Sequence, residues 1–157
     1  MKQREEAAKK AEGETVAIPA SQRETILIVE DDKTTRELIA ELVSEDHPDL
    51  HIETASDGLE ALSKIAERVP SILITNIVMP RMDGIELLKT LHKKGITLPT
   101  IVTSGHWKPE AFEEWLTQEG ISRKEEFLFL RKPFRLEQVQ TWLEKVRKGK
   151  LEGTEHN

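Results

Sequence analysis

Short apolar, β-branched runs alternate with helical apolar periods along this chain, and each run stops at polar residues. That alternation constrains the fold more than any other feature. Ile26-Leu27-Ile28-Val29 ends at Glu30-Asp31-Asp32, Ile72-Leu73-Ile74 at Thr75-Asn76, and Thr100-Ile101-Val102-Thr103 at Ser104-Gly105. Leu50 to Thr54 alternates more weakly, and Phe127 to Leu130 stops before Lys132-Pro133. Runs this short, apolar at consecutive positions, suit strands buried on both faces of a parallel sheet. Between them lie helical periods: Leu38, Ile39, Leu42 and Val43; Leu59, Leu62, Ile65 and Ala66; Ile85, Leu87, Leu88 and Leu91; Phe112, Trp115 and Leu116; and Leu136, Val139, Trp142, Leu143 and Val146. Thr34 to Glu37 has the spacing of a capping box, Gly95 suits a helix C-terminus and Pro109 a first helical turn. Five strands alternating with five helices predict an α/β, doubly wound parallel sheet.

Composition narrows the class. A chain of 157 residues has room for one domain and some tail. The absence of cysteine excludes a disulfide framework and thiolate chemistry and fits a reducing, cytoplasmic setting. No apolar run reaches the length of a membrane span, and a formal net charge of −6 argues against nucleic-acid binding by the body of the domain. Residues 1–24 are rich in Lys, Arg, Glu, Gln and Ala with no apolar stripe, as expected of a charged tail or linker. The domain is expected over 25–148, with a polar tail at 149–157.

Polar residues fall at the carboxyl ends of successive strands, the edge at which open parallel sheets bind ligands. The first strand delivers Glu30 and Asp31, the third Asn76, the fourth Ser104, and the fifth ends at Lys132. Clustered carboxylates repel one another and favour a hard cation such as Mg²⁺. A lysine and a hydroxyl nearby suit a phosphoryl group.

With these residues in place, the chain resembles the response-regulator receiver domain, the CheY-like family, over about Glu24 to Lys148. The resemblance rests on Ile26 to Asp32, on Asn76-Ile77-Val78-Met79-Pro80-Arg81-Met82-Asp83-Gly84, on Pro99 to Gly105 and on Leu130-Arg131-Lys132-Pro133-Phe134. It implies a flavodoxin-like sheet of order 2-1-3-4-5. It implies Mg²⁺ at Glu30 and Asp31, with position 76 as a further ligand and as the phosphoacceptor. It also implies phosphoryl contacts from Ser104 and Lys132, a switch formed by Ser104 and Phe129, and structural roles for Pro80, Gly84 and Pro133, the bond before Pro133 being cis. The implied partners are a histidine kinase or phosphotransfer protein, and an output domain or partner protein met through the fourth and fifth helices. A homodimer is a further form such domains take, and no membrane or nucleic-acid partner is implied.

Two departures qualify the resemblance. Position 76 is Asn where the family has Asp; an amide is no nucleophile toward phosphorus and carries no charge for the metal. The chain is then either a natural pseudo-receiver that binds partners without phosphorylation, or an Asp→Asn variant locked in the unphosphorylated state. The second departure is the stretch from Ser104 to Lys132, longer than usual, which contains Trp107, Trp115 and the charged loop Glu119 to Glu126. Asp32 is expected to begin a helix, and Asp83 to stabilise the turn before Gly84, rather than do chemistry. Trp107 is expected to be more exposed than Phe112, Trp115 and Trp142. Glu30-x-Asp32-x-Thr34 faintly echoes haloacid-dehalogenase-like phosphatases, but that signature needs aspartate where Glu30 stands.

Overall fold

The computed structural model describes residues 24–149; the expectations for the two tails otherwise lie outside the described residues. Five strands, β1 (Thr25–Val29), β2 (His51–Ala55), β3 (Ile72–Asn76), β4 (Thr100–Ser104) and β5 (Phe127–Arg131), form one parallel sheet in the order β2-β1-β3-β4-β5. The helices are α1 (Lys33–Asp46), α2 (Gly58–Glu67), α3 (Gly84–Lys93), α4 (Pro109–Gln118) and α5 (Leu136–Arg147). This is the doubly wound sheet expected from the alternation, in the flavodoxin-like order that the resemblance implies.

Period-two geometry splits the apolar runs between two cores. Leu27, Val29 and Leu73 face Ala61, Ile65, Leu87, Leu91, Phe112 and Leu116 on one side of the sheet. Ile26, Ile28, Ile72 and Ile74 face Ile39, Val43, Val139, Trp142 and Leu143 on the other. The central strands β1, β3 and β4 are buried along their whole length, whereas the edge strands are half-exposed. A strand covered by helices on both faces has no polar face, which is why the central runs read as continuous apolar stretches.

Several helix details differ from the periodicity. Helix α1 begins at Lys33, capped by Asp32, whose carboxylate accepts from the Thr35 N–H at 2.9 Å, so the Thr34 spacing is not the cap. Asp83 caps α3 in a reciprocal box with Glu86. Leu38 and Leu59 are exposed, and Ala66 is exposed as well. The buried stripe runs through Ile39 and Val43 in α1 and through Ala61 and Ile65 in α2. Each is an i, i+4 pair; Leu38 and Ala66 lie one step from their stripe, turned about 100° away, and Leu59 lies two steps before Ala61, about 200° round the helix. Trp107 is half-buried against the core beside α4, more exposed than the buried Phe112 and Trp142 as expected, and half-buried like Trp115.

The far end of the domain is closed by Arg147 at the end of α5. Its guanidinium donates to Glu24 Oε1 at 3.1 Å, Asp49 Oδ1 at 3.1 Å and His47 Nδ1 at 3.0 Å. Hydrogen bonding from Arg147, more than its charge alone, holds the Asp49 carboxyl below its ordinary value of 3.8. A lowered folded pKa contributes stability that is present above the unfolded value and is lost as pH falls through the folded one. Arg147→Ala is therefore expected to lower stability near pH 7 by about 1 kcal/mol or less, since the carboxylates are largely exposed. The difference from the parent should vanish as pH falls below the aspartate range. Urea melts across that interval check it; a difference independent of pH would show that Arg147 acts through packing alone.

Candidate functional site

The carboxyl ends of β1 and β3 lie side by side, because Ile26 to Val29 pair with Ile72 to Thr75 in register. Glu30 and Asn76, the next residues along, therefore meet. Glu30 and Asn76 are both buried, at 2% and 6% exposure, while Asp31 is exposed. The Asn76 side-chain nitrogen, Nδ2, donates to Val78 O at 2.9 Å and Asp31 Oδ1 at 3.1 Å, with Glu30 Oε2 at 3.5 Å. Three oxygens converge on its two N–H groups, and this fixes which end of the amide points inward, since only the NH₂ end can donate.

Lys132 completes the charge balance. Its ammonium lies 3.0 Å from Glu30 Oε1, and the Asp32 N–H donates to Glu30 Oε2 at 3.1 Å. Burial pushes the Glu30 carboxyl above its ordinary range, and the Asp32 N–H and Lys132 pull it back. Arg36 of α1 donates to the Glu30 backbone carbonyl at 2.8 Å, tying the helix to the strand end. The bond between Lys132 and Pro133 is cis, as the resemblance implies.

Ser104 and Phe129 stand apart from this cluster. The buried Ser104 hydroxyl oxygen accepts from the backbone N–H groups of His106 and Trp107, at 3.0 and 2.9 Å. It is thus engaged with its own turn. Its strand is nevertheless next to the site: Asn76 pairs in register with Thr103, and Lys132 N–H donates to Ser104 O at 2.8 Å. Phe129 is half-buried against Phe112, with ring centroids 5.5 Å apart. Phe112, Leu116, Lys124, Phe127 and Phe129 line an open groove of about 290 Å³ between α4 and β5. The long stretch before β5 adds a short 3-10 turn, Lys124–Glu126, over which Arg123 pairs with Glu126 and covers the Phe127 ring at 5.1 Å.

The loop from Ile77 to Gly84 carries the rest of the site. Gly84 N–H donates to Ile77 O at 2.7 Å, and a β-carbon on Gly84 would lie 2.3 Å from Asn76 O. Pro80 lies within this loop, and Met82 N–H donates to its carbonyl at 2.8 Å. Sequence reasoning missed Asp57, a buried carboxylate that caps α2 and pairs with Arg81 Nε at 2.7 Å. No spacing in a single sequence signals two partners 24 positions apart in separate loops.

The resemblance implies Mg²⁺ here, and the donor set suits it in part. Carboxylates of Glu30 and Asp31 and the Val78 carbonyl are hard oxygens converging on one point, as such an ion requires. That point is held by Asn76 Nδ2, and among the described residues no group of three or more acidic or imidazole side chains could hold a metal. The residues fit the ion only with the amide turned so that its oxygen, rather than its nitrogen, faces inward.

Fold and strand-end residues together are those of a CheY-like receiver module. The model of the response regulator receiver domain matches residues 26–144, and the chain belongs to that family. It is 32% identical over 131 residues to the response regulator MprA of Mycobacterium ulcerans, covering 83% of this chain and 53% of that protein. The chain spans about half the length of the MprA relatives it matches. A stretch of 81 residues is 38% identical to a Koribacter versatilis protein-glutamate methylesterase/protein-glutamine glutaminase, over only 22% of that protein, whose activity is its own. Among solved structures, the receiver domain of the Francisella response regulator 1452 superposes with a TM-score of 0.68 at 29% identity, covering 80% of this chain and 97% of that one. The Vibrio cholerae chemotaxis protein CheY4 gives 0.66 at 25% identity, covering 79% and 98%. Receiver domains are signalling modules of two-component systems, generally not enzymes, which typically bind Mg²⁺ and interact with kinases and output domains. Among the described residues no helix is long and apolar enough to cross a membrane.

Proposed function

We propose that this chain is a receiver domain held in its unphosphorylated arrangement, with Asn76 at the phosphoacceptor position and partner binding as its output. The observation that carries the reading is the Asn76 amide, whose N–H groups are engaged by Val78 O, Asp31 and Glu30. A carboxylate at that position would accept the phosphoryl group from a histidine kinase or phosphotransfer protein, with Ser104 and Lys132 contacting its oxygens. An amide offers no such nucleophile. Mg²⁺ at Glu30 and Asp31 is weakened for the same reason, because position 76 brings no charge and its inward atom is a donor.

Partners meet the domain at the fourth and fifth helices, where the aromatic groove beside Phe129 lies open. Nothing in the reading requires a membrane or nucleic acid, and we place the chain in the cytoplasm, as a monomer or a homodimer. A natural pseudo-receiver and an Asp→Asn lock would carry the same amide, and the residue encoded at position 76 in the native gene distinguishes them.

Incubation with acetyl phosphate and Mg²⁺ should leave the intact mass unchanged. A stable, acid-labile gain of one phosphoryl group on this chain would overturn the reading.

A further inference from the structure

The loop from Ile77 to Gly84 closes on itself through Gly84 N–H to Ile77 O and Met82 N–H to Pro80 O. Two bonds then fasten it to the start of α2: Arg81 Nε to Asp57 Oδ2 at 2.7 Å, and Gly58 N–H to Met82 O at 2.9 Å. Arg81 takes a φ of 66°, the left-handed region that residues with a β-carbon rarely adopt. A strained backbone persists only where its surroundings hold it. Here the holding group is a carboxylate at 4% exposure, already fixed by the Glu60 N–H that it caps at 2.9 Å. The same loop presents the Val78 carbonyl to Asn76 Nδ2 at 2.9 Å, the shortest of the three contacts on that nitrogen.

We infer that Asp57 and Arg81 form a brace that positions the Val78 carbonyl against the side chain at position 76, making both of them positioning residues for the site. The brace acts across the top of the sheet: α2 fixes Asp57, Asp57 fixes Arg81, and Arg81 sets the loop three residues after Val78. Neither side chain touches Asn76. The brace therefore governs how tightly the loop encloses whatever occupies position 76, whether amide or carboxylate. The inference rests on the reading of Asn76 as the centre of the site, and its test uses neither phosphate nor metal, so its failure leaves the acetyl phosphate result standing.

The test is hydrogen exchange of the Asn76 side-chain NH₂ protons, followed by NMR on the full chain. Asp57→Asn keeps the cap on α2, since asparagine caps as well as aspartate, but removes the charge that holds Arg81. It should speed exchange of the Asn76 protons by about fivefold or more while α2 backbone amides keep their protection. Arg81→Gly, which suits the left-handed φ and so preserves the fold, should do the same. Arg81→Lys keeps a cation within reach of Asp57 and should restore much of the parent rate. Ile65→Val, a core change on α2 away from the loop, controls for general destabilisation and should leave the Asn76 protons as they were. If both Asp57→Asn and Arg81→Gly leave the Asn76 protons at the parent rate, the pair anchors α2 only and the brace is refuted. Equal acceleration by Ile65→Val would refute it as well.

Discussion

Asn76→Asp is expected to turn an inert pocket into a working one and to make the domain less stable until a cation is supplied. The substitution exchanges a donor for an acceptor at the point where Glu30, Asp31 and the Val78 carbonyl converge. Three favourable contacts become repulsive ones, and Lys132, engaged with Glu30, offsets only part of the added charge. Two unit charges about 4 Å apart at an effective dielectric constant near 20 repel by about 4 kcal/mol; partial exposure of the site lowers the net cost to about 2–3 kcal/mol. In chelator the variant should melt well below the parent. Adding Mg²⁺ should recover most of the loss in the variant and change the parent little. With acetyl phosphate, the variant alone should gain one phosphoryl group. A variant that stays inert in both assays would mean that the site is impaired at residues other than 76.

Gly84→Ala is the second large effect, and it comes from geometry rather than charge. The added β-carbon would lie 2.3 Å from the Asn76 carbonyl oxygen and 2.9 Å from Ile77 Cα. Both are backbone atoms at the end of a fully buried central strand, so no rotamer change can make room. Overpacking of a close-packed interior costs about 1–3 kcal/mol where side chains can shift, and the backbone clash here places Gly84→Ala at about 3 kcal/mol or more. The loop bond from Gly84 to Ile77 should break with it, loosening the site as well as the fold. Thermal melts showing a loss under about 1 kcal/mol would mean that the start of α3 slides away from β3 at little cost.

Much of this molecule was legible in its residues, and the reasons differ from element to element. Strands β1, β3 and β4 could be read because burial on both faces forces unbroken apolar runs. The edge strand β2 was also found, though shifted by one residue, since half-burial leaves a weaker alternation. Glu30, Asn76, Ser104 and Lys132 could be read as one edge because parallel strands all end on the same side. Which residues of α1 and α2 face inward was less legible. Ile39, Val43 and Ile65 face the core as expected, but Leu38, Leu59 and Ala66, apolar by type, are turned outward, and Ala61 takes an inward place that the apolar period did not mark. Composition records what a residue is, and packing decides which side of a helix it spends in the core.

The sequence by itself determined the doubly wound sheet, the edge where its polar residues gather, and the presence of an amide at position 76 of that edge. These follow from periodicity and residue chemistry, which are local properties. Only the tertiary structure decided what the Asn76 amide does in that place, which of its ends points inward, and that Asp57 and Arg81 hold the loop around it. Those depend on where separate strand ends and loops come to rest, and on the few ångströms between a donor and its acceptors. Hydrogen-bond direction and close backbone approach are distances in space, and spacing along the chain does not encode them.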